Sequence, residues 1–256
     1  MPFTFAHPAA VVPIQALLRR YVIMTGLVVG SMSPDFEYFI HFKPVSVWGH
    51  TLIGFFVYNF PLVLLVSWLF HSFVKAPLIA HLPAPLDRWY APLASQAWRI
   101  GSLRAFGLFF LSSIVGMLTH VGWDHFTHVN GYYVVHSAFL RETVPIFRWN
   151  VPVYKLAQHG STLIGFLVIA VYLYRQRAAR PQATLFSSSR TTTGKLRYWG
   201  KIVLVACLIL LGKWVLFPTA ASPFALLGEL VVSALSSLIL AVLIISIIYH
   251  TKERYT

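Results

Sequence analysis

The feature that most constrains this chain is a set of five long apolar stretches. A helix needs about 20 mostly apolar residues to cross the hydrocarbon core of a bilayer. Such stretches lie at residues 51–74, 104–124, 158–175, 199–217 and 223–250. Only 11% of the 256 residues are charged, whereas soluble domains carry about 25%. We therefore predict an all-α, polytopic integral membrane protein, a helical bundle with about five full spans.

The first 35 residues do not fit that pattern. Residues 8–18 and 21–33 are apolar, but two adjacent arginines separate them. At 1.5 Å per residue, each piece is too short to cross a core of about 30 Å. One interpretation is a single interrupted span, which would make six spans. The other, which we favour, is a short helical hairpin that returns His7 to the side of Asp35. The opening MPFTFAHPAA has no basic segment, so we expect no cleaved signal peptide.

The distribution of positive charge predicts the orientation. Lys and Arg number four in residues 75–104, seven in residues 175–201 and two in the C-terminal tail, against four in the opposite connections. Because cytoplasmic loops carry the excess of basic residues, we place the 175–201 loop and the C-terminus in the cytoplasm. No nucleic-acid-binding motif accompanies the net charge of +13, so we predict no nucleic-acid partner.

The distribution of polar and apolar residues suggests three parts of the chain. Residues 1–178 carry nearly all of the polar motifs and are predicted to form a membrane-embedded domain. Residues 179–197 are rich in Ser, Thr and Arg and are predicted to be a flexible cytoplasmic linker. Residues 198–256 are predicted to form a transmembrane helical hairpin, in which Lys213 and Glu229 lie at similar depth and form a structural ion pair.

The decapeptide THVGWDHFTH, which starts at Thr119, concentrates polar chemistry at the end of an apolar stretch. In a helix, His120, Asp124 and His128 spread over only about 80° of one face. Ionisable residues in or beside a span are costly and rare. Imidazole and carboxylate ligands suit zinc, and also manganese or iron. We therefore predict that this stripe holds a divalent metal, and we expect His125 to point away from it.

Further polar residues are predicted to lie on the same membrane face. His50 and His159 each precede a span, and Asp35 follows the second short apolar piece. We place His50 among the metal ligands, together with His7 if the hairpin forms. Asp35 and His159 are candidate catalytic residues, either as ligands or as groups beside them, and Asp35 is a candidate general base. Glu37 would face elsewhere.

These motifs together resemble one protein family. The opening MPFTFAHPAA, the segment GSMSPDFEYF, the His50 motif, the H-x3-D-x3-H stripe and QHGS at Gln158–Ser161 are similar to a bacterial membrane family, domain of unknown function 4184. The resemblance covers roughly residues 1–175, and the rear hairpin is more generic. It implies residence in the bacterial inner membrane.

That family is in turn distantly similar to YdjM-like inner-membrane metal-dependent hydrolases. A still more distant similarity is to zinc-dependent phospholipase C and the S1/P1 nucleases, whose zinc ions are held by His and Asp. The resemblance matches His120 and Asp124 to their H-x3-D pair and His50 to an upstream zinc histidine. The soluble enzymes also use an H-x3-E pair, whereas the residue four after His159 is Leu163. The resemblance therefore implies one or two metal ions rather than three.

Three functional hypotheses follow. The first is a metal-dependent hydrolase that acts on the phosphoester of a lipid or lipid-linked substrate at the outer membrane face, with membrane lipids as partners. The second is a non-catalytic membrane protein whose polar cluster is structural or binds a metal without chemistry. This alternative has weight because a single histidine at a membrane interface is more often structural. The third is bis-histidine haem ligation, which a colourless protein would exclude.

Overall fold

The computed structural model describes residues 3–98, 100–178, 190–217 and 222–255. Within these residues the secondary structure is almost entirely helical, with a single two-stranded hairpin. The predicted all-α fold is therefore confirmed. The helices are α1 Pro8–Leu17, α2 Met24–Met32, α3 Phe36–His41, α4 Leu52–Ala80, α5 Leu86–Ala94, α6 Leu103–Thr127, α7 Tyr132–His136, α8 Ala138–Arg141, α9 Val153–Ala178, α10 Thr192–Leu216 and α11 Pro223–Tyr255.

Five helical segments are long and apolar enough to cross a membrane, which confirms the five predicted spans. Their mean hydropathies over the most apolar window run from 1.6 to 2.8. The chain is thus a multi-pass membrane protein. The five segments are Leu52–Ala80, Leu103–His136, Val153–Arg177, Thr192–Leu216 and Ala225–Thr251.

The N-terminal segment is a hairpin of two short helices, as predicted, and the single interrupted span is wrong. Helix α1 has 10 residues and α2 has 9, and the chain turns between them. Pro8 occupies the first position of α1, where its missing N–H costs no hydrogen bond. The two ends of the hairpin meet, because the Thr4 hydroxyl donates to Asp35 Oδ2 over 2.6 Å. His7 and Asp35 are therefore on the same side.

Helices α2 and α6 approach each other closely because glycines lie at their contact. A Cβ atom on Gly30 would be 2.4 Å from the carbonyl oxygen of Ser113, and one on Gly116 would be 2.4 Å from that of Leu27. Small residues allow such backbone contact between membrane helices. The Ile23 N–H also donates to Ser112 Oγ over 2.9 Å. This contact brings the end of α2 beside the polar end of α6.

Between α8 and α9 the chain forms a β-hairpin. Strand β1, Thr143–Ile146, pairs antiparallel with β2, Trp149–Pro152, in a register that places Ile146 opposite Trp149. Phe147 lies at the turn with a φ of 52° and is fully exposed.

The chain divides into two compact units that alternate along the sequence. The first comprises Met1–Phe36, Val47–Leu64 and Arg99–Gln176, and the second comprises Glu37–Ser46, Leu65–Trp98 and Arg177–Thr256. The three domains predicted from the sequence are consecutive stretches of the chain, unlike these two units. Their boundaries stay a prediction. Residues 179–189 of the predicted linker lie outside the described residues, and α10 already begins at Thr192.

The second unit contains the predicted ion pair. The Lys213 ammonium donates to Glu229 Oε1, and both side chains are buried. The ammonium also lies 3.6 Å from the ring centroid of Trp214, a cation–π contact. Glu37 belongs to this unit too, where it accepts a hydrogen bond from Ser46. That Glu37 faces away from the candidate metal residues stays a prediction.

Candidate metal centre

Five ionisable side chains converge within the first unit from four separate parts of the chain. His7 precedes α1, Asp35 follows α2, His50 precedes α4, and His120 and Asp124 lie one turn apart on α6. Their positions follow from local structure. Pro8 starts α1 directly after His7, and Pro34 lies in the 3₁₀ turn that ends at Asp35. The Asn59 amide donates to the Gly49 carbonyl over 2.7 Å and fixes the loop that carries His50.

His120 shows which of its two ring nitrogens faces the cluster. Nδ1 lies 2.8 Å from the backbone carbonyl oxygen of Ser31. A carbonyl oxygen can only accept, so Nδ1 carries a proton, and Nε2 of the neutral ring presents a lone pair. Metal-ligating histidines typically donate their second ring N–H to a carbonyl or carboxylate in this way.

A positive charge at His120 Nε2 would be stabilised by the groups around it. The atom is buried and has no hydrogen-bond partner among the described residues. Its polar neighbours are carboxylate oxygens, Asp124 Oδ2 at 3.3 Å and Asp35 Oδ1 at 3.5 Å. A lone pair that faces two carboxylates away from water is unfavourable. A proton or a metal ion among these atoms would relieve the repulsion.

The cluster contains a closed ring of four ligand atoms in which nitrogen and oxygen alternate. From His120 Nε2 the ring passes through Asp35 Oδ1, His50 Nε2 and Asp124 Oδ2. The successive separations are 3.5, 3.6, 3.7 and 3.3 Å. Tetrahedral zinc binds N and O ligands at about 2.0–2.2 Å, which separates neighbouring ligands by about 3.3–3.6 Å. Two sets of three residues bring one ligand atom each to within 4.8 Å of one another, His50 with His120 and Asp124, and His7 with Asp35 and His120. The imidazole and carboxylate donors of both sets are ones that zinc uses.

His7 lies on the buried side of the cluster. Its ring stacks on that of His120 with centroids 3.6 Å apart, and its Nε2 lies 3.7 Å from Asp124 Oδ1. Burial, followed by the neighbouring His120, lowers the pKa of His7 to about 3. His7 is thus neutral at pH 7 and able to donate a lone pair. It is a fifth candidate ligand.

Asp35 is held as a carboxylate. Burial alone would raise the pKa of its carboxyl group, but a protonated His120, which satisfies the need for positive charge described above, and the hydrogen bond from Thr4 outweigh that effect and hold the pKa below its ordinary value. Because Thr4 occupies Oδ2, the oxygen that faces His50 and His120 is Oδ1. Both carboxylates of the cluster are therefore oriented towards the imidazoles.

The cluster is buried on one side and open on the other. The side chain of His120 has no exposed surface, whereas that of His50 is 30% exposed and that of Asp124 is 15% exposed. The cluster is therefore least buried on the side of His50.

The remaining candidate residues lie outside the ring. His128 Nδ1 is 3.3 Å from Asp124 Oδ1, at the outer edge of the cluster. His125 is exposed and accepts a hydrogen bond from the backbone of Tyr132, so it points away as expected. His159 is also exposed and makes no hydrogen bond or ion pair with the described part of the chain. The structure does not bring His159 to the cluster, and its catalytic role stays a prediction.

Sequence reasoning missed the residues that hold the ligands in place. Thr4 binds Asp35, and the Ser31 carbonyl binds His120. Gln158 was noted only as part of the QHGS motif, yet its amide contacts His128. No spacing rule would have found these contacts, because each joins parts of the chain that are about 30 to 90 residues apart.

The fold and this cluster define a multi-pass helical membrane protein with a buried imidazole–carboxylate centre. The chain belongs to the family described as Domain of unknown function (DUF4184), which matches residues 1–247. The match continues beyond the polar motifs and includes most of the C-terminal helices. No curated protein and no solved structure matches the chain.

Proposed function

We propose that this protein binds a divalent metal ion, zinc in the first place, and hydrolyses a phosphoester of a lipid or lipid-linked substrate. His50, His120, Asp35 and Asp124 would hold the ion, and His7 would be a fifth ligand. The observation that carries the proposal is the ring of alternating N and O atoms around the buried Nε2 of His120. Manganese or iron would also suit imidazole and carboxylate donors.

A bound divalent ion would supply Lewis-acid polarisation of a phosphoryl oxygen and a water of lowered pKa. The protein's own contribution is positional. Ser31 and Thr4 fix the orientation of one imidazole and one carboxylate. The buried side formed by His7 and His120 excludes water, and the exposed edge at His50 admits the substrate. Asp35 is better placed to hold the ion than to act as a general base, because both of its oxygens are already engaged.

Two observations support a substrate that carries phosphate and comes from the membrane. His120 and Asp124 lie in the last two turns of α6, which ends at Thr127, so they would face one surface of the membrane. The connection that follows this span carries Arg141 and Arg148, both exposed, and arginine pairs well with phosphate. The positive-inside rule places this end on the outer face of the membrane. The resemblance to YdjM-like hydrolases, and with it a bacterial inner membrane, belongs to the same proposal.

A second candidate is a metal site without chemistry. Structural zinc sites are closed by four protein ligands, whereas catalytic sites keep a position open. Four side chains of the cluster would have to close around one ion to make such a shell. In that case the ion would stabilise the contact between the N-terminal hairpin and α6, and no substrate would be turned over.

The first experiment is metal analysis of the full chain purified in detergent. We expect about one zinc ion per chain in the wild type and none in the His120→Ala/Asp124→Ala variant. His125→Ala is the matched control, because His125 lies on the same helix and outside the cluster. Equal trace metal in all three proteins, after incubation with zinc, manganese and iron, would overturn the proposal.

If metal is present, turnover separates the two candidates. We expect hydrolysis of a phospholipid or polyprenyl phosphoester that is lost with Asp124→Asn while the protein remains folded and inserted. Retained turnover in this variant would contradict the hydrolase. A variant that loses metal and thermal stability, in a protein with no turnover on any of these phosphoesters, would support the structural site.

A further inference from the structure

A chain of hydrogen bonds leads from Lys155 on α9 to the cluster. The Lys155 ammonium donates to Gln158 Oε1 over 2.8 Å. Gln158 Nε2 lies 3.0 Å from His128 Nε2, and His128 Nδ1 lies 3.3 Å from Asp124 Oδ1. Gln158 is 4% exposed, so water does not replace its partners freely. The chain thus ends on the carboxylate oxygen that the four-atom ring does not use.

The donors and acceptors in this chain can be assigned from its two ends. An ammonium group can only donate, so the Gln158 oxygen faces Lys155 and its NH₂ group faces His128. The amide therefore donates to His128 Nε2, which must be unprotonated. A neutral imidazole carries one proton, which places it on Nδ1, opposite the Asp124 carboxylate.

Thr127 supports this assignment independently. Its hydroxyl donates to the Trp123 carbonyl over 3.2 Å, and the same oxygen lies 3.4 Å from His128 Nδ1. Because its proton is already committed, that oxygen can only accept at Nδ1. Both neighbours of Nδ1, the Thr127 hydroxyl and the Asp124 carboxylate, are thus acceptors, and Nδ1 is the donor.

We propose that His128 is a positioning residue that donates Nδ1–H to Asp124, is held in that tautomer by Gln158 and Lys155, and does not bind the metal. This inference rests on the proposed metal site, which it deepens. Both ring nitrogens of His128 are engaged, so neither has a lone pair for an ion. The hydrogen bond to Oδ1 fixes the carboxylate plane and turns Oδ2 towards His50 and His120.

The consequence for the metal is quantitative. Hydrogen-bond partners of metal ligands change metal affinity by about 10- to 100-fold when they are removed. Loss of His128 should weaken zinc binding by that factor and leave the ligand set unchanged. Loss of a ligand would instead alter the coordination itself.

The test compares three substitutions by zinc competition with a chelating dye in detergent. His128→Ala should weaken zinc binding about 10- to 100-fold. His128→Asn should restore most of the affinity, because its amide nitrogen takes the place of Nδ1, whereas His128→Gln, whose amide takes the place of Nε2, should not. The visible spectrum of the Co²⁺-loaded protein should be the same in His128→Ala and wild type. A changed spectrum would show that His128 is a ligand, and equal loss in all three variants would show that donation from Nδ1 does not support the site; either result would overturn the proposal.

A second measurement does not depend on a metal. The ¹⁵N chemical shifts of the His128 ring, assigned by comparison with His128→Asn, report which nitrogen is protonated in metal-free protein at about pH 8, where free histidine is neutral. We expect protonated Nδ1 and unprotonated Nε2. The opposite tautomer would overturn the inference whether or not zinc binds. A wild type that binds no metal but shows this tautomer would overturn the proposed function while the hydrogen-bond assignment holds.

Discussion

The Nδ1 atom of His120 lies 2.8 Å from the carbonyl oxygen of Ser31, so the end of α2 sets the tautomer and the direction of the central imidazole of α6. The two residues are 89 positions apart and meet only because glycines let α2 and α6 touch. The metal site is therefore expected to depend on helix packing as much as on its ligands.

Gly116→Ala should damage the metal site without removing any ligand. A Cβ atom at this position would lie 2.4 Å from the Leu27 carbonyl oxygen and 2.6 Å from the Ser31 nitrogen, so the α2 backbone must move. Overpacking of this kind costs about 1–3 kcal/mol. We expect a lower melting temperature in detergent and at least tenfold weaker zinc binding. Gly122→Ala on the same helix is the control, since a Cβ there meets nothing within 4 Å. Equal zinc affinity in both variants would contradict the coupling.

Much of this fold follows from local sequence properties. The five spans were predicted because hydropathy and length decide whether a helix can cross a bilayer. The N-terminal hairpin was predicted because two short apolar pieces flank an arginine pair. His120 and Asp124 were predicted to share a face because both lie within the regular part of α6, where the four-residue spacing holds.

The position of His128, the third residue of that stripe, could not be predicted from local sequence. Helix α6 stops at Thr127, and His128 has extended backbone angles, with a φ of −113° and a ψ of 145°. The helical spacing rule therefore does not apply to it, and its partners are set by Gln158 on another helix. The sequence also does not predict that the segments of the two compact units alternate along the chain, because this arrangement depends on contacts between distant segments.

Zinc affinity should fall steeply as the pH is lowered. Histidine binds a metal only as the neutral imidazole, and in the metal-free cluster a proton can satisfy His120 Nε2 in place of the ion. Metal binding should thus release protons, and affinity should fall as the pH is lowered. His7 is not expected to contribute near neutral pH, because burial lowers its pKa to about 3. Dye competition and calorimetry in buffers of different ionisation enthalpy would measure both effects. An affinity that does not change with pH would exclude histidine ligation.

Lys213→Met should destabilise the second unit and leave the metal site intact. The change removes one partner of a buried ion pair and leaves Glu229 without its ammonium, which typically costs about 3–5 kcal/mol. We expect a lower melting temperature in detergent with unchanged zinc content. The double variant Lys213→Met/Glu229→Leu should recover most of the stability, because it removes both charges together. Loss of zinc in the single variant would show that the pair supports the site rather than its own unit.

His159→Ala tests the predicted catalytic role of His159. His159 is a candidate from the sequence because it precedes a span on the same predicted membrane face, but the structure leaves it exposed and without a polar contact in the described residues. It lies one residue beyond Gln158 on α9, about 100° around the helix, so the two side chains point in different directions. We expect zinc content, and turnover where it is found, within about twofold of wild type, since exposed substitutions usually change little. A tenfold loss of turnover with unchanged zinc would instead place His159 at the substrate.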